Sequence, residues 1–468
     1  MTDPSAQGAD PRSEEQPREA DRLREILRAP GYFTVLAFSA LVGIPVSLIA
    51  FWFLVALHEL ERLLWADLPH RLTWDTPPWW WPLPLLLVAG TAVALVAGHL
   101  RGAGGPVPGS GGLHTGGTTP AMLPGIVLAA AASLPLGAVL GPEVPLIALG
   151  SGLALLFRDL TRAPATPQNT ALLGAAGAAA AIAAIFGNPL IAAVLLIEVA
   201  GVGGPQLFAV MLPALLSSGV GALVFTGLGR WTGLQTGSLS LEPAMPLPRL
   251  DLADVLWTVL IALVLALLLR PVTGAGRRVA AYVSARVVPR TIMCAVGAGA
   301  CAALYALVTG RTPAEVALSG QAALGELAAD PHAWGVGALI AVLLCKSAAY
   351  TLCLGSLRGG AIFPALFLGA AAGVLLAPLP GLGVVPAMAA SMAAATAAVM
   401  RLPVGSVVLV VLLLGSSAMI PIVILAVVIA FVTTELLPAA AAPPTPPRAE
   451  QRAGDVGDAG GAGVTGTP

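Results

Sequence analysis

Glu143 is the residue whose setting most suggests chemistry. It stands in a Leu-Gly-Pro-Glu-Val-Pro run at 140–145, ahead of an apolar stretch with no other charge until Arg158. A carboxylate at a helix N-terminus lies in a favourable field. It also competes there with any free anion for the same N–H donors. Protonating it, or swinging it aside, would free those donors. The plainer reading is an N-terminal cap, but an acid inside an apolar membrane stretch carries function by default. Glu198 closes the apolar run 190–202. It reads either as a carboxylate on a proton or ion path or as an interfacial residue marking a helix end.

Two glycine-rich runs could supply donors. Gly109, Ser110, Gly111 and Gly112 would crowd backbone N–H groups around one hydroxyl, a weak anion-site signal that a flexible loop would also produce. Gly359, Gly360, Ala361, Ile362, Phe363 and Pro364 repeat the pattern around Glu143 without the acid, with Pro364 suited to a first helical turn. This run would form a second wall. Lys346, Arg358 and Arg401 flank it and are expected to snorkel to headgroups. His99 and His114 are expected to be bystanders. The Trp79, Trp80, Trp81 cluster reads as an interfacial anchor.

These residues must be positioned by membrane helices. The 468 residues are 57% hydrophobic and 10% charged, with mean hydropathy +0.89. A soluble domain carries about 25% charged residues, so the solvent for most of this chain is lipid. The net charge of −1 gives no case for nucleic acid. Cys294, Cys301, Cys345 and Cys353 lack metal-ligand spacing, so no metal or cofactor is expected. No GxSxG occurs, and His58-Glu59 continues as Leu60, Glu61, Arg62 rather than HExxH, so an enzyme is not expected.

About fourteen apolar segments lie between residues 32 and 437. Segments 32–57, 83–100, 252–269 and 291–308 predict spanning helices; 144–157, 190–202, 365–376 and 404–414 are too short to cross alone. Such short helices are tolerated where their ends are buried in protein or line a wet cavity. The expectation is an all-α multi-pass protein with a polar cytoplasmic segment at 1–30, a membrane domain at 31–437 and a disordered tail at 438–468. Arg22, Arg24, Arg28, Arg101 and the cluster Arg277, Arg278, Arg286, Arg290 favour a cytoplasmic N-terminus.

The membrane domain echoes itself. Pro145 and Pro364 both precede a helix with Leu-Gly four and five residues on, 219 residues apart; Pro189 and Pro403 both follow an Ala-rich helix, 214 residues apart. Two echoes at nearly one offset argue for duplicated halves, about 31–230 and 250–437. Repeats with interrupted helices mark transporters and channels, with the site between halves.

In this order the motifs resemble the CLC family of chloride channels and chloride/proton exchangers. That family carries Gly-Ser-Gly-Ile-Pro, Gly-(Lys/Arg)-Glu-Gly-Pro and Gly-x-Phe-x-Pro; here these read Gly109 to Leu113, Gly141 to Pro145 and Gly360 to Pro364. An Asn-x-Pro-Leu segment leading to an acid is matched by Asn188, Pro189, Leu190 and then Glu198. The resemblance implies inverted halves of broken helices, a homodimer in the plasma membrane and one anion pathway per subunit. It implies Ser110, with Gly109 and Gly111, at the central anion site, Gly360 and the Ile362 and Phe363 N–H groups nearby, and Glu143 as the gate. Departures are Pro142, Val144 and Leu113 in the motifs, and Phe363 one position late. Val199 stands where exchangers carry an inner proton-transfer acid, and Ser416 where the central tyrosine is expected. These tilt the expectation toward a passive chloride channel. The alternatives are a proton-coupled chloride antiporter and, more distantly, a non-conducting paralogue. Fluoride is disfavoured because fluoride-selective members carry Met in place of Ser110.

Overall fold

The computed structural model describes residues 24–25, 27–28, 31–110, 118–163, 166–201, 205–234, 241 and 250–437. The expected polar segment before residue 24 and the tail at 438–468 lie outside the described residues. Fifteen helices are named here in chain order: α1 Tyr32–Arg71, which passes through a π turn at Leu63–Asp67; α2 Pro82–His99; α3 Leu123–Ser133; α4 Glu143–Leu160; α5 Pro167–Phe186; α6 Pro189–Ala200; α7 Pro205–Thr232; α8 Leu252–Ala285; α9 Val287–Thr309; α10 Gln321–Ala329; α11 Val336–Ser356; α12 Ile362–Leu376; α13 Val384–Met400; α14 Pro403–Leu414; and α15 Ile420–Leu436. No extended strand occurs among the described residues; a single antiparallel bridge pairs Gly141 with Gly360. The expectation of an all-α multi-pass membrane fold holds.

Among the described residues, eight helices are long and apolar enough to cross a membrane: α1, α2, α5, α7, α8, α9, α11 and α15. Helix α8 has 34 residues. At about 1.5 Å per residue it exceeds the hydrocarbon thickness and must tilt or project. Leu252, Leu256, Leu260, Leu263, Leu267 and Leu268 stand exposed along it, as a lipid-facing side requires. The sequence pattern ends this span at 269 because Arg270 and Pro271 follow. The helix instead runs on, since the Arg270 guanidinium is satisfied by the carbonyls of Thr434 and Leu437.

The short helices α4 and α12 are mostly buried inside the protein. Helices α4 and α12 pack on the Ala-rich helices α5 and α13, respectively. The matching glycines explain how. A Cβ on Gly150 would strike the Gly177 carbonyl of α5, and one on Gly369 would come within 2.7 Å of the Met392 backbone of α13. The Leu-Gly echo is therefore a repeated close crossing, in which small residues let backbones approach. Helices α2 and α9, and α6 and α14, join the two halves of the chain.

Candidate anion site

The two proline-glycine motifs meet. The Gly141 N–H donates to the Gly360 carbonyl at 2.8 Å and the Gly360 N–H returns to the Gly141 carbonyl at 2.5 Å. This exchange ties together the turns that start α4 and α12. Glu143 is the first residue of α4 and only 1% exposed. Its Oε1 accepts from the Phe363 N–H, in the first turn of α12, at 3.0 Å. The amides of Ile362 and of Glu143 itself lie near enough to act electrostatically on this carboxylate. Two helix N-termini, each with positive partial charge, thus enclose one carboxylate. Its Oε2 is buried without a hydrogen-bond partner among the described residues.

Glycine is required here by space. A Cβ on either Gly141 or Gly360 would overlap the Glu143 carboxylate. The carboxylate therefore occupies a pocket floored by missing side chains. Phe363 closes one side, its ring stacked on Phe186 with centroids 5.7 Å apart.

Surrounding polar groups fix the two turns. The hydroxyl of Tyr350, a buried residue of α11, donates to the Ala361 carbonyl at 2.9 Å and lies close enough to Glu143 to feel its charge. Cys353, three residues on, accepts from the Val139 N–H at 3.4 Å. Ser133 accepts from the Arg358 N–H at 3.4 Å. Sequence reasoning missed Tyr350. The available signal was a polar stripe of Lys346, Tyr350 and Cys353 at helical spacing in an apolar run.

The other expected residues fall in separate places. Gly109 belongs to the turn Pro108–Ser110, which packs on α8 and α11; a Cβ on it would sit 2.9 Å from the carbonyls of Gly276 and Leu354. Ser110 ends that turn, and Gly111 and His114 lie outside the described residues. Glu198 caps another helix: its carboxylate accepts from Val404 N–H at 2.9 Å and Gly405 N–H at 2.6 Å, at the start of α14. Asn188 caps α6 through the Leu190 N–H at 2.8 Å. Ser416 is buried between α14 and α15, its hydroxyl without a partner among the described residues, and no described hydrogen bond joins it to the Glu143 turns.

Two cations differ from expectation. Lys346 does not snorkel: it is fully buried, and its ammonium faces the carbonyls of Glu315, Val316, Ala317 and Leu318 at 3.0–3.4 Å. Gly320 makes room for its stem. Arg358 is likewise 7% exposed and donates to the Ala103 carbonyl at 3.1 and 3.3 Å. In both cases backbone carbonyls from distant loops replace water. Arg401, by contrast, is half-exposed and lies 3.5 Å from Glu435. No group of three or more His, Cys, Asp or Glu residues suited to a metal occurs among the described residues.

This arrangement, a broken-helix core with a carboxylate between two helix N-termini, is the setting in which the profile of the voltage gated chloride channel family matches residues 109–435. The chain belongs to that family. YfeO of Escherichia coli strain SMS-3-5, a protein named for ion transport, is 26% identical over 344 residues, covering 72% of this chain and 77% of that one. YfeO of Escherichia coli O6:H1 is 32% identical over 190 residues, 40% of this chain and 44% of that one. Among solved structures, a slow cyanobacterial Cl−/H+ antiporter matches with TM-score 0.72 at 19% identity, over 86% of this chain and 94% of that chain. A CLC-type fluoride/proton antiporter matches with TM-score 0.64 at 17% identity, over 86% and 96%. These two likenesses establish the fold. The resemblance drawn from the motifs and the multi-pass membrane character both hold.

Proposed function

We propose that the chain conducts chloride, or a small anion like it, across the plasma membrane, with Glu143 as the gate. The observation that carries this reading is the seat of the Glu143 carboxylate. It is itself an anion, held by the Phe363 N–H where the N-termini of α4 and α12 converge. A free anion would take the same donors once the carboxylate is protonated or swings away. The donors are backbone groups, so they suit a halide without demanding a particular geometry of oxygen atoms.

Passive conduction is the favoured mode. Val199 follows Glu198 where an inner acid would sit, and both Glu198 oxygens are committed to α14 N–H groups. Proton-coupled antiport remains the competing mode, because a gate that must be protonated can couple the two flows. A homodimer with one pathway per subunit is part of the proposal.

Reversal potentials of purified protein in proteoliposomes, under imposed chloride and proton gradients, test the mode. A potential set by chloride alone is expected. A potential displaced by the proton gradient in wild type, and not in Glu143→Gln, would replace the channel with an antiporter. Absence of chloride flux from folded protein of both forms would overturn the transport reading.

A further inference from the structure

A cavity with about 180 Å³ of room for water opens between α8, α11 and the end of α13. One water needs only about 10–15 Å³ on such a measure, so the space admits a multi-atom ligand. Its walls include Gly109 and Ala361. Ala361 lies two residues before Phe363, whose amide holds Glu143, so the cavity abuts the turns that seat this carboxylate from the Gly109 side.

The cavity is electropositive. Arg270, Thr273 and Arg277 follow one another along one face of α8 at helical spacing. Thr273, Arg277 and Arg401 line the cavity, and Arg270 and Arg401 are near enough for their charges to act on Arg277. Two of the three arginines are committed elsewhere. Arg270 holds the carbonyls at the end of α15, and Arg401 faces Glu435, the carboxylate ion-paired in this group. Arg277 is different: its Nε is buried and has no hydrogen-bond partner among the described residues. A guanidinium N–H withdrawn from water and left unpaired is costly, and each such group calls for an explanation.

We propose that this cavity binds an oxyanion of the phosphate class, with Arg277 as its principal contact, and that the occupant obstructs the anion route. The planar guanidinium fork matches a tetrahedral oxyanion through paired N–H donors, which a spherical halide cannot use together. The positive surplus favours a polyvalent ion, and the room exceeds what a bare halide fills. The Arg277, Arg278, Arg286, Arg290 cluster places this mouth on the cytoplasmic side by the positive-inside rule. Obstruction rests on the chloride-transport reading; binding does not.

Two measurements with inorganic phosphate separate these claims. Isothermal titration of the detergent-solubilised full chain reads binding. Chloride efflux from proteoliposomes, with phosphate added to one face at constant ionic strength, reads obstruction. Wild type is expected to bind phosphate and to be inhibited from one face only. Arg277→Gln is expected to raise the half-inhibiting concentration at least about tenfold, as loss of a charge-assisted hydrogen bond implies, each protein being compared with its own phosphate-free flux. Arg277→Lys, which keeps a point charge but not the fork, is expected to fall between. Arg278→Gln, at an exposed neighbour, is expected to keep phosphate binding. Chloride flux that ignores phosphate in wild type, or equal binding by wild type, Arg277→Gln and Arg277→Lys, would overturn the proposal. Arg277-dependent binding in a protein that carries no chloride would keep the site and remove the transport reading with its obstruction.

Discussion

At Glu143 the protein places a carboxylate where its own backbone offers donors to an anion. The side chain fits because Gly141 and Gly360 have no Cβ. This yields a test independent of transport. Gly360→Ala would drive a methyl into the carboxylate, at a cost of about 1–3 kcal/mol for overpacking. A lowered thermal midpoint is expected, largely restored in the double variant Gly360→Ala/Glu143→Ala. Equal losses in both backgrounds would show that the collision lies elsewhere. The gate also predicts a pH response: chloride flux rises as pH falls and Glu143 is protonated, and Glu143→Gln is flat across the same range. Flux in Glu143→Gln that still rises on acidification would assign the response to another group. Glu143 was legible in the sequence because a lone acid in an apolar run is conspicuous. Lys346 was not, although it is the sole lysine. Its partners are four backbone carbonyls 28 to 31 residues away in sequence, and carbonyls leave no side-chain signature.

The helices position this residue through repeated close crossings. Gly150 on α4 and Gly369 on α12 meet α5 and α13 at matching places. Gly369→Val would separate α12 from α13 and move the Phe363 N–H away from Glu143. We expect a destabilisation of about 1–3 kcal/mol, read as a fall in the urea or thermal midpoint, together with loss of the pH response. A variant of wild-type stability would mean that the crossing has slack. The short helices were readable from the sequence, their starts marked by Pro145, Pro189, Pro364 and Pro403, because proline tolerates a first turn where an N–H has no partner. The caps were less so. Glu198 was weighed as a path carboxylate or a helix-end marker, yet it serves the start of α14, 206 residues away in sequence. Glu198→Gln is expected to cost about 1 kcal/mol, as weakening of a charged cap does, and to leave the reversal potential at the chloride value. A shift of that potential would return Glu198 to the ion path.

At the scale of the whole molecule, lipid and protein divide the work among the helices. Long helices such as α8 face the hydrocarbon with leucines, while α4, α12 and the alanines of α5 and α13 are buried among other helices. Composition alone made the membrane class legible, and the motif order made the family legible. The joining of the halves at Gly141 and Gly360 was not, because one bridge between residues 219 apart has no local pattern. Native mass spectrometry of the solubilised chain is expected to give a dimer, and a monomer that conducts would remove the pairing of pathways from the proposal. The central claim is that the Glu143 carboxylate holds the seat of a transported anion. Bromide-soaked crystals of wild type and Glu143→Ala, compared by anomalous diffraction, test it most directly. The account predicts a bromide peak beside the Phe363 N–H in Glu143→Ala and none there while the wild-type carboxylate is seated. A Glu143→Ala protein with the same fold and no halide at that position would contradict it.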